Sequence, residues 1–237
     1  MRFVVTDDIF ETFPDVRIGV LVARGIKRPP GVGVDLSDGL VTAQETVRTA
    51  LAGTNVSDHP RIRCWREAYR SFGAKPKKYP SSIENLVRRT LKGEPIRPIL
   101  PLVDIENAVS LEHLLPVGGE DLDSIEGELR LTRASESEPP VRLLGEAEER
   151  APKPGEVIYA DDRGAICRRW NWKEADRTKL TESTRTAVLV LEALPPMTED
   201  ELRAAMGALS ELVREHTGAS VDETVLDRND RAMSLAT

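Results

Sequence analysis

Only two cysteines, Cys64 and Cys167, occur in the 237 residues, and they stand alone rather than in the paired spacing of a zinc site or a disulfide framework. The three histidines, His59, His113 and His216, are as dispersed, and none falls in a His-x-x-x-His or His-Cys grouping. No metal and no cofactor are expected. Aromatic residues are scarce at 4%, charged ones reach 31%, and no apolar run approaches the roughly 20 residues that span a bilayer. The opening residues, Met1 to Asp8, lack the long apolar stretch of a signal peptide, so the expected setting is the cytosol.

What is present is 40% hydrophobic residues, enough for a substantial core, and a net charge of -7 that is unevenly spread. Between Arg61 and Arg97 stand Arg61, Arg63, Arg66, Arg70, Lys75, Lys77, Lys78, Arg88, Arg89, Lys92 and Arg97, opposed only by Glu67, Glu84 and Glu94. Such a block can neutralise phosphates and steer an RNA while the acidic remainder discourages indiscriminate binding. A solvated basic helical face is the competing reading.

The patterning predicts a mixed chain. Arg17 to Ala23 reads as a buried strand, a helix follows from Leu40 to Leu51 with Ser37 or Asp38 near its start, and another runs from Pro60 to Phe72. The prolines of Ala74 to Pro80 break that helix into an exposed basic loop. Ser81 and Glu84 have capping-box spacing before a short helix, and Asp104 to Leu115 reads as helix. Short strands are expected at Glu128 to Thr132, Glu156 to Ala160, Ala165 to Arg168 and Thr186 to Leu194. Thr198 and Glu201 open an amphipathic helix ending near Gly218, Ala219 to Leu226 is a last strand, and the tail from Asn229 should fray. With no internal repeat or long linker, one α+β domain over residues 1–237 is the economical reading.

Two stretches carry a resemblance. Arg97-Pro98-Ile99, Val103-Asp104, Asn107, Val109, Leu111-Glu112, Pro116 and Asp121-Leu122-Asp123 follow one another at fixed spacing; Trp170-Asn171, Arg177-Thr178-Lys179-Leu180, Thr184 and Val190-Leu191-Glu192 form a second set downstream. Together they resemble the B3/B4 editing domain of the phenylalanyl-tRNA synthetase beta subunit, over about Trp65 to Leu194. The strand and helix before that span and the helix from Thr198 then read as additions that let the domain stand alone.

The resemblance implies a B3/B4-like fold of mixed and antiparallel sheets flanked by helices. It implies aminoacylated tRNA as partner, and hydrolysis of the ester joining a wrong amino acid to the terminal ribose. Asn107 and Asn171 are the candidates to orient the water or the ester, against helix or turn capping. Gly118 and Gly119 let the backbone approach a ligand, and Glu120 and Asp121 suit a cationic side chain unless they form a surface turn. Arg177 and Thr178 are placed to contact phosphate or ribose, a salt bridge being the alternative for Arg177. Arg66, Arg70, Lys75, Lys77, Lys78, Arg88 and Arg89 are the candidate tRNA-binding cations. Trp170 and Trp172 either stack on the terminal adenine or belong to the core.

Two departures separate the chain from the pattern. Gly118 and Glu120 occupy places where synthetase-bound members carry a histidine and an aromatic residue. Val190 stands where the family's tyrosine-reading glutamate falls, the nearest acid being Glu192 on the same strand face. The expected activity is therefore a deacylase acting on a mischarged amino acid, arginine-like or another non-cognate one. A tRNA-binding module without turnover is the alternative, and an interaction domain without RNA a third class.

Overall fold

The computed structural model describes residues 1–27 and 36–235, the first two of the second span by backbone only. Strand β1 (Arg2–Val5) and helix α1 (Asp7–Thr12) lead into β2 (Arg17–Arg24), whose apolar run is buried as expected. Helix α2 (Leu36–Ala50) has Asp38 in its first turn; the side chain of Ser37 lies outside the described residues. Helix α3 (Pro60–Ser71) starts on its proline, where a missing N–H costs nothing, and buries Ile62, Trp65, Ala68 and Tyr69.

Helix α4 (Ser82–Leu91) makes half of the expected capping box. The Ser81 hydroxyl accepts the Glu84 N–H at 3.3 Å, but the Glu84 carboxylate does not reach back to the Ser81 backbone. It is buried instead between Arg66 and Arg88, at 2.6 and 2.7 Å, because two guanidinium groups hold a carboxylate more strongly than one neutral amide does. Helix α5 (Pro101–His113) follows, again with proline in its first turn.

The second half supplies most of the strands: β3 (Val117–Asp121), β4 (Leu129–Arg133), β5 (Val141–Arg142), β6 (Glu149–Arg150), β7 (Val157–Asp161), β8 (Gly164–Arg168), β9 (Lys173–Glu174) and β10 (Thr186–Ala193). Helix α6 (Glu199–Thr217) opens on the complete Thr198/Glu201 capping box and stops at Gly218, whose φ of 64° suits a residue without a side chain. Strands β11 (Ser220–Leu226) and β12 (Ala232–Ser234) complete the chain. The tail does not fray at Asn229: β12 pairs with β1, Arg2 opposite Ser234 and Val4 opposite Ala232, and Leu235 is buried in the core.

These strands form two principal sheets, in the orders β12-β1-β4-β7-β8-β9 and β11-β2-β10-β3, with β5 and β6 as a separate pair. The α+β expectation holds. The four-stranded sheet is antiparallel throughout and β10 is its spine, paired with β2 from Thr186 to Ala193 and with β3 from Ala187 to Leu191. Because side chains alternate along a strand, β10 serves two layers. Ala187, Leu189 and Leu191 pack with α5 and with Leu202, Met206 and Leu209 of α6. Val188 and Val190 face the other way, toward Phe3, Leu129, Val157, Tyr159 and Ile166 of the six-stranded sheet. Helix α6 lies so close to β2 that a β-carbon at Gly19 would meet the Met206 sulfur at 2.6 Å.

Candidate functional site

Between the two sheets lies a cavity with about 760 Å³ of empty space, part of it open to solvent. Strand alternation explains its lining. Val188, Val190 and Glu192 come from β10, and Gly118 and Glu120 from β3, where Glu120 sits opposite Val188 and Gly118 opposite Val190. The facing sheet contributes Leu129, Tyr159, Ile166, Cys167 and Glu174. Trp170, Asn171 and Trp172, on the turn between β8 and β9, and Lys173 at the start of β9 close one end.

Asn171 is fixed on three sides. Its carbonyl accepts the Ser82 N–H at 3.0 Å, and its side-chain oxygen accepts the Tyr69 hydroxyl at 2.7 Å. Its amide nitrogen donates to Glu192 Oε2 at 2.5 Å, while the Tyr159 hydroxyl donates to the other Glu192 oxygen, also at 2.5 Å. Burial holds both tyrosines far above their ordinary pKa, with Glu192 adding to the effect, so they remain donors at any physiological pH. Glu192 itself is pushed up to about 7 by burial, against the pull of those donors.

The other acids behave alike. Burial, and then the charge of Glu174, raises Glu120 well above the carboxylate range, with the Thr178 hydroxyl and Arg177 pulling the other way. Burial likewise raises Glu174. Three carboxyl groups in a mainly apolar chamber are a device for taking up positive charge, since each is reluctant to ionise until a cation arrives. They are not arranged as metal ligands: among the described residues, no group of three or more His, Cys, Asp or Glu side chains is placed to hold an ion. Burial, and then Glu120, Glu174 and Glu192, push the Cys167 thiol well above its ordinary pKa, which disfavours the thiolate.

Native Glu192 keeps its proton between its unfolded value of 4.5 and about 7, whereas the unfolded chain has released it. Stability is therefore highest below that window and falls as pH rises through it, by on the order of 3 kcal/mol for one such group. Urea midpoints measured from pH 5 to 8 should decline, and Glu120→Gln, with no charge to bury, should flatten part of the decline. A midpoint that rises over this range would contradict the burial of these acids.

Several expected site residues meet here and others do not. Gly118, Glu120, Asn171 and Glu192 line the cavity, and Gly119 forms its wall from behind. A β-carbon at Gly119 would collide with Glu106 of α5 and with Leu189, so the glycine is required by close packing. Asn107, one residue on from Glu106, is half-buried on α5 and does not line the cavity. Asp121 also points away: it accepts the Asp123 N–H at 3.1 Å and the Thr184 hydroxyl at 2.7 Å, holding the turn after β3. Val117 to Asp121 is thus not a surface turn but a strand, which packing on β10 imposes despite its glycines. Thr178 is buried behind Glu120, its carbonyl accepting the Asp121 N–H. Arg177 takes the salt-bridge alternative, gripping Asp161 with two nitrogens at 2.9 and 2.5 Å.

The basic block divides. Arg66 and Arg88 are engaged by Glu84, Arg89 donates to the Pro95 carbonyl, and Arg61 pairs with Glu201. Arg70, Lys75, Lys77 and Lys78 are exposed at the far end of α3 and in the turn beyond it, and no carboxylate pairs with them among the described residues. Trp170 belongs to the core, edge-on to Trp65 at 5.1 Å, while Trp172 sits at the cavity with Tyr79 against it at 4.8 Å. Glu174, Tyr69, Tyr159 and Arg169 were not legible as site residues, since no short motif contains them.

The fold and its chamber define a two-sheet α+β arrangement around an acid-lined pocket. The chain belongs to the B3/4 domain family, whose model matches residues 64–218, a span that takes in α6. It is 29% identical over 128 residues to the phenylalanine–tRNA ligase beta subunit of Fusobacterium nucleatum, an overlap of 54% of this chain and 15% of the relative. To the same subunit of Ruegeria pomeroyi it is 39% identical over 70 residues, 30% of this chain and 8% of the relative. The chain thus spans only a small part of either relative's length. A solved N-terminal fragment of the phenylalanyl-tRNA synthetase beta subunit from Pyrococcus horikoshii matches 94% of this chain and 53% of its own, with a TM-score of 0.48 and 11% identity. No helix of the described residues is long and apolar enough to cross a membrane.

Proposed function

We propose that this protein hydrolyses the ester of a misacylated tRNA whose amino acid has a cationic side chain. The observation that carries the reading is the set of three carboxyl groups, buried Glu192 and half-buried Glu120 and Glu174, facing one mainly apolar cavity. Every aminoacyl ester brings one positive charge, its α-ammonium group, and an arginine-like or lysine-like residue brings a second. Three acids exceed what a neutral side chain needs and match a substrate with two cations.

Glu192 and Asn171 supply the hydrolytic pair in this reading. A carboxylate with a pKa near 7 can take a proton from water as the oxygen attacks the ester carbonyl. The bond from that carbonyl to the ribose oxygen then breaks and the proton passes to the ribose oxygen, leaving a free amino acid and an uncharged tRNA. Asn171, held by Tyr69 and Ser82, keeps the carboxylate aimed. The exposed Lys75, Lys77 and Lys78 meet the RNA, and the cytoplasm is the setting where such a substrate occurs.

Purified protein incubated with tRNAs charged with arginine, an arginine analogue, tyrosine and alanine tests the reading. Release of the basic amino acids well above the others is expected. Preference for tyrosine, or tRNA retention with no release of any amino acid, would sink it, the latter favouring the binding module.

A further inference from the structure

Arg169 is a buried arginine whose charge is incompletely answered by the protein. Its side chain is 9% exposed, and its backbone adopts a left-handed φ of 49°, followed by 66° at Trp170. Side chains with a β-carbon rarely adopt that region, and two in succession persist only where the surroundings enforce them. Here Trp170 is locked between Trp65 and Phe13, and the Arg169 N–H donates to Glu156 Oε1 at 3.1 Å. The guanidinium is thereby placed over two rings, 3.7 Å from the Tyr79 centroid and 4.5 Å from that of Trp172.

The acid within reach is already engaged. Glu156 is held by Arg168 through two bonds of 2.9 Å, and stands 4.0 Å from Arg169 Nε. The terminal amines of Arg169 make no hydrogen bond among the described residues. Arg169 lines a second cavity, about 620 Å³ of empty space, walled also by the already engaged Glu156 and by Lys75, Lys78 and Lys153, none of which pairs with a carboxylate among the described residues. This cavity and the acid-lined one share the stack of Tyr79, Arg169 and Trp172 as their partition.

We propose that the second cavity binds a phosphodiester group of an RNA strand, with Arg169 as the planar fork and Lys75, Lys78 and Lys153 as surrounding charge. An arginine held flat-on to aromatic rings keeps its outer nitrogens free for two oxygens of one phosphate, which a lysine cannot match bidentately. The adjoining rings offer the strand's bases a stacking surface. The inference rests on the tRNA substrate proposed for the acid-lined cavity and deepens it: a phosphate fixed on one side of the partition sets where the charged ribose enters on the other.

The test is equilibrium binding of a short RNA trinucleotide with a free 3′ hydroxyl, beside adenosine and inorganic phosphate, followed by tryptophan fluorescence and by calorimetry. The wild type should bind the trinucleotide more tightly than either small probe. Arg169→Gln should weaken it about tenfold and lower the salt slope by about 0.7, the change that one phosphate on a single strand contributes when its cation is removed. Lys153→Ala, at an exposed position, should act in the same direction by a few-fold. Trinucleotide affinity and salt slope unchanged in both variants would overturn the proposal. So would adenosine binding as tightly as the trinucleotide, or inorganic phosphate binding to which the strand adds nothing. Trinucleotide binding that depends on Arg169 and Lys153, in a protein that releases no amino acid from tRNA, would leave this pocket standing and remove the hydrolase.

Discussion

Glu120→Gln combined with Glu174→Gln is expected to erase discrimination in favour of basic amino acids, lowering kcat/KM on an arginine-charged tRNA by about 10²- to 10³-fold while leaving alanine-charged tRNA nearly unchanged. The two acids approach the cavity from opposite sheets, β3 and β9, and lie close enough for the charge of one to raise the pKa of the other. A guanidinium or ammonium group between them relieves both at once. Removing both leaves that cation desolvated without a counter-charge, which is costlier than never having bound it. The glutamines preserve volume, so the cavity should keep its shape, and the variant should be more stable than the wild type at pH 8. Undiminished preference for the basic substrate in the double variant would show that the side chain is read elsewhere.

Asn171→Ala is the second large effect, and its physical basis does not depend on the substrate. Among the described residues, the amide alone bridges the Tyr69 hydroxyl and Glu192 Oε2. Its loss leaves a buried hydroxyl and a buried carboxyl oxygen without partners, at a cost of about 2–4 kcal/mol in folding stability. Because that amide is one of the donors pulling Glu192 down, the carboxyl should also titrate higher than about 7 in the variant. Turnover should fall by about 10²-fold with little change in KM, and the acidic limb of the pH profile should move upward. A variant with wild-type stability and an unmoved profile would mean that Asn171 neither braces nor tunes Glu192.

Much of the fold was legible because its signals are local. Pro60, the Thr198/Glu201 box and the apolar run Arg17 to Ala23 announce their elements within a few residues, and each stands where expected. The sequence was misleading wherever a distant partner outweighed a local preference. Glycine-rich Pro116 to Asp121 reads as a loop until β10 and Glu106 are set beside it. Glu84 reads as a cap until Arg66 arrives from another helix. The tail reads as frayed until β1 pairs with it. At the site, Glu192 was found through strand alternation from Val190, whereas Arg169 and Glu174 flank the Trp170-Asn171 step of the pattern without belonging to it. Asn107 lies in the most specific part of the family pattern yet outside the cavity, so pattern strength and proximity to chemistry are separate properties.

The period of two along β10 has a consequence for how this protein can change. Its even-numbered residues Val188, Val190 and Glu192 wall the acid-lined chamber, and the odd-numbered Ala187, Leu189 and Leu191 seat α5 and α6. Inserting or deleting a single residue within the strand would exchange the two sets, presenting leucines to the chamber and thrusting Glu192 into the helical layer. Length variation is therefore forbidden in Thr186–Ala193, while the stretch between β4 and β7, which carries only the small β5–β6 pair, is free of that constraint. Among descendants of this sequence, diversification should appear as substitutions at positions 188, 190 and 192 and as insertions between 134 and 156, never as a frame slip in the strand that joins pocket to scaffold.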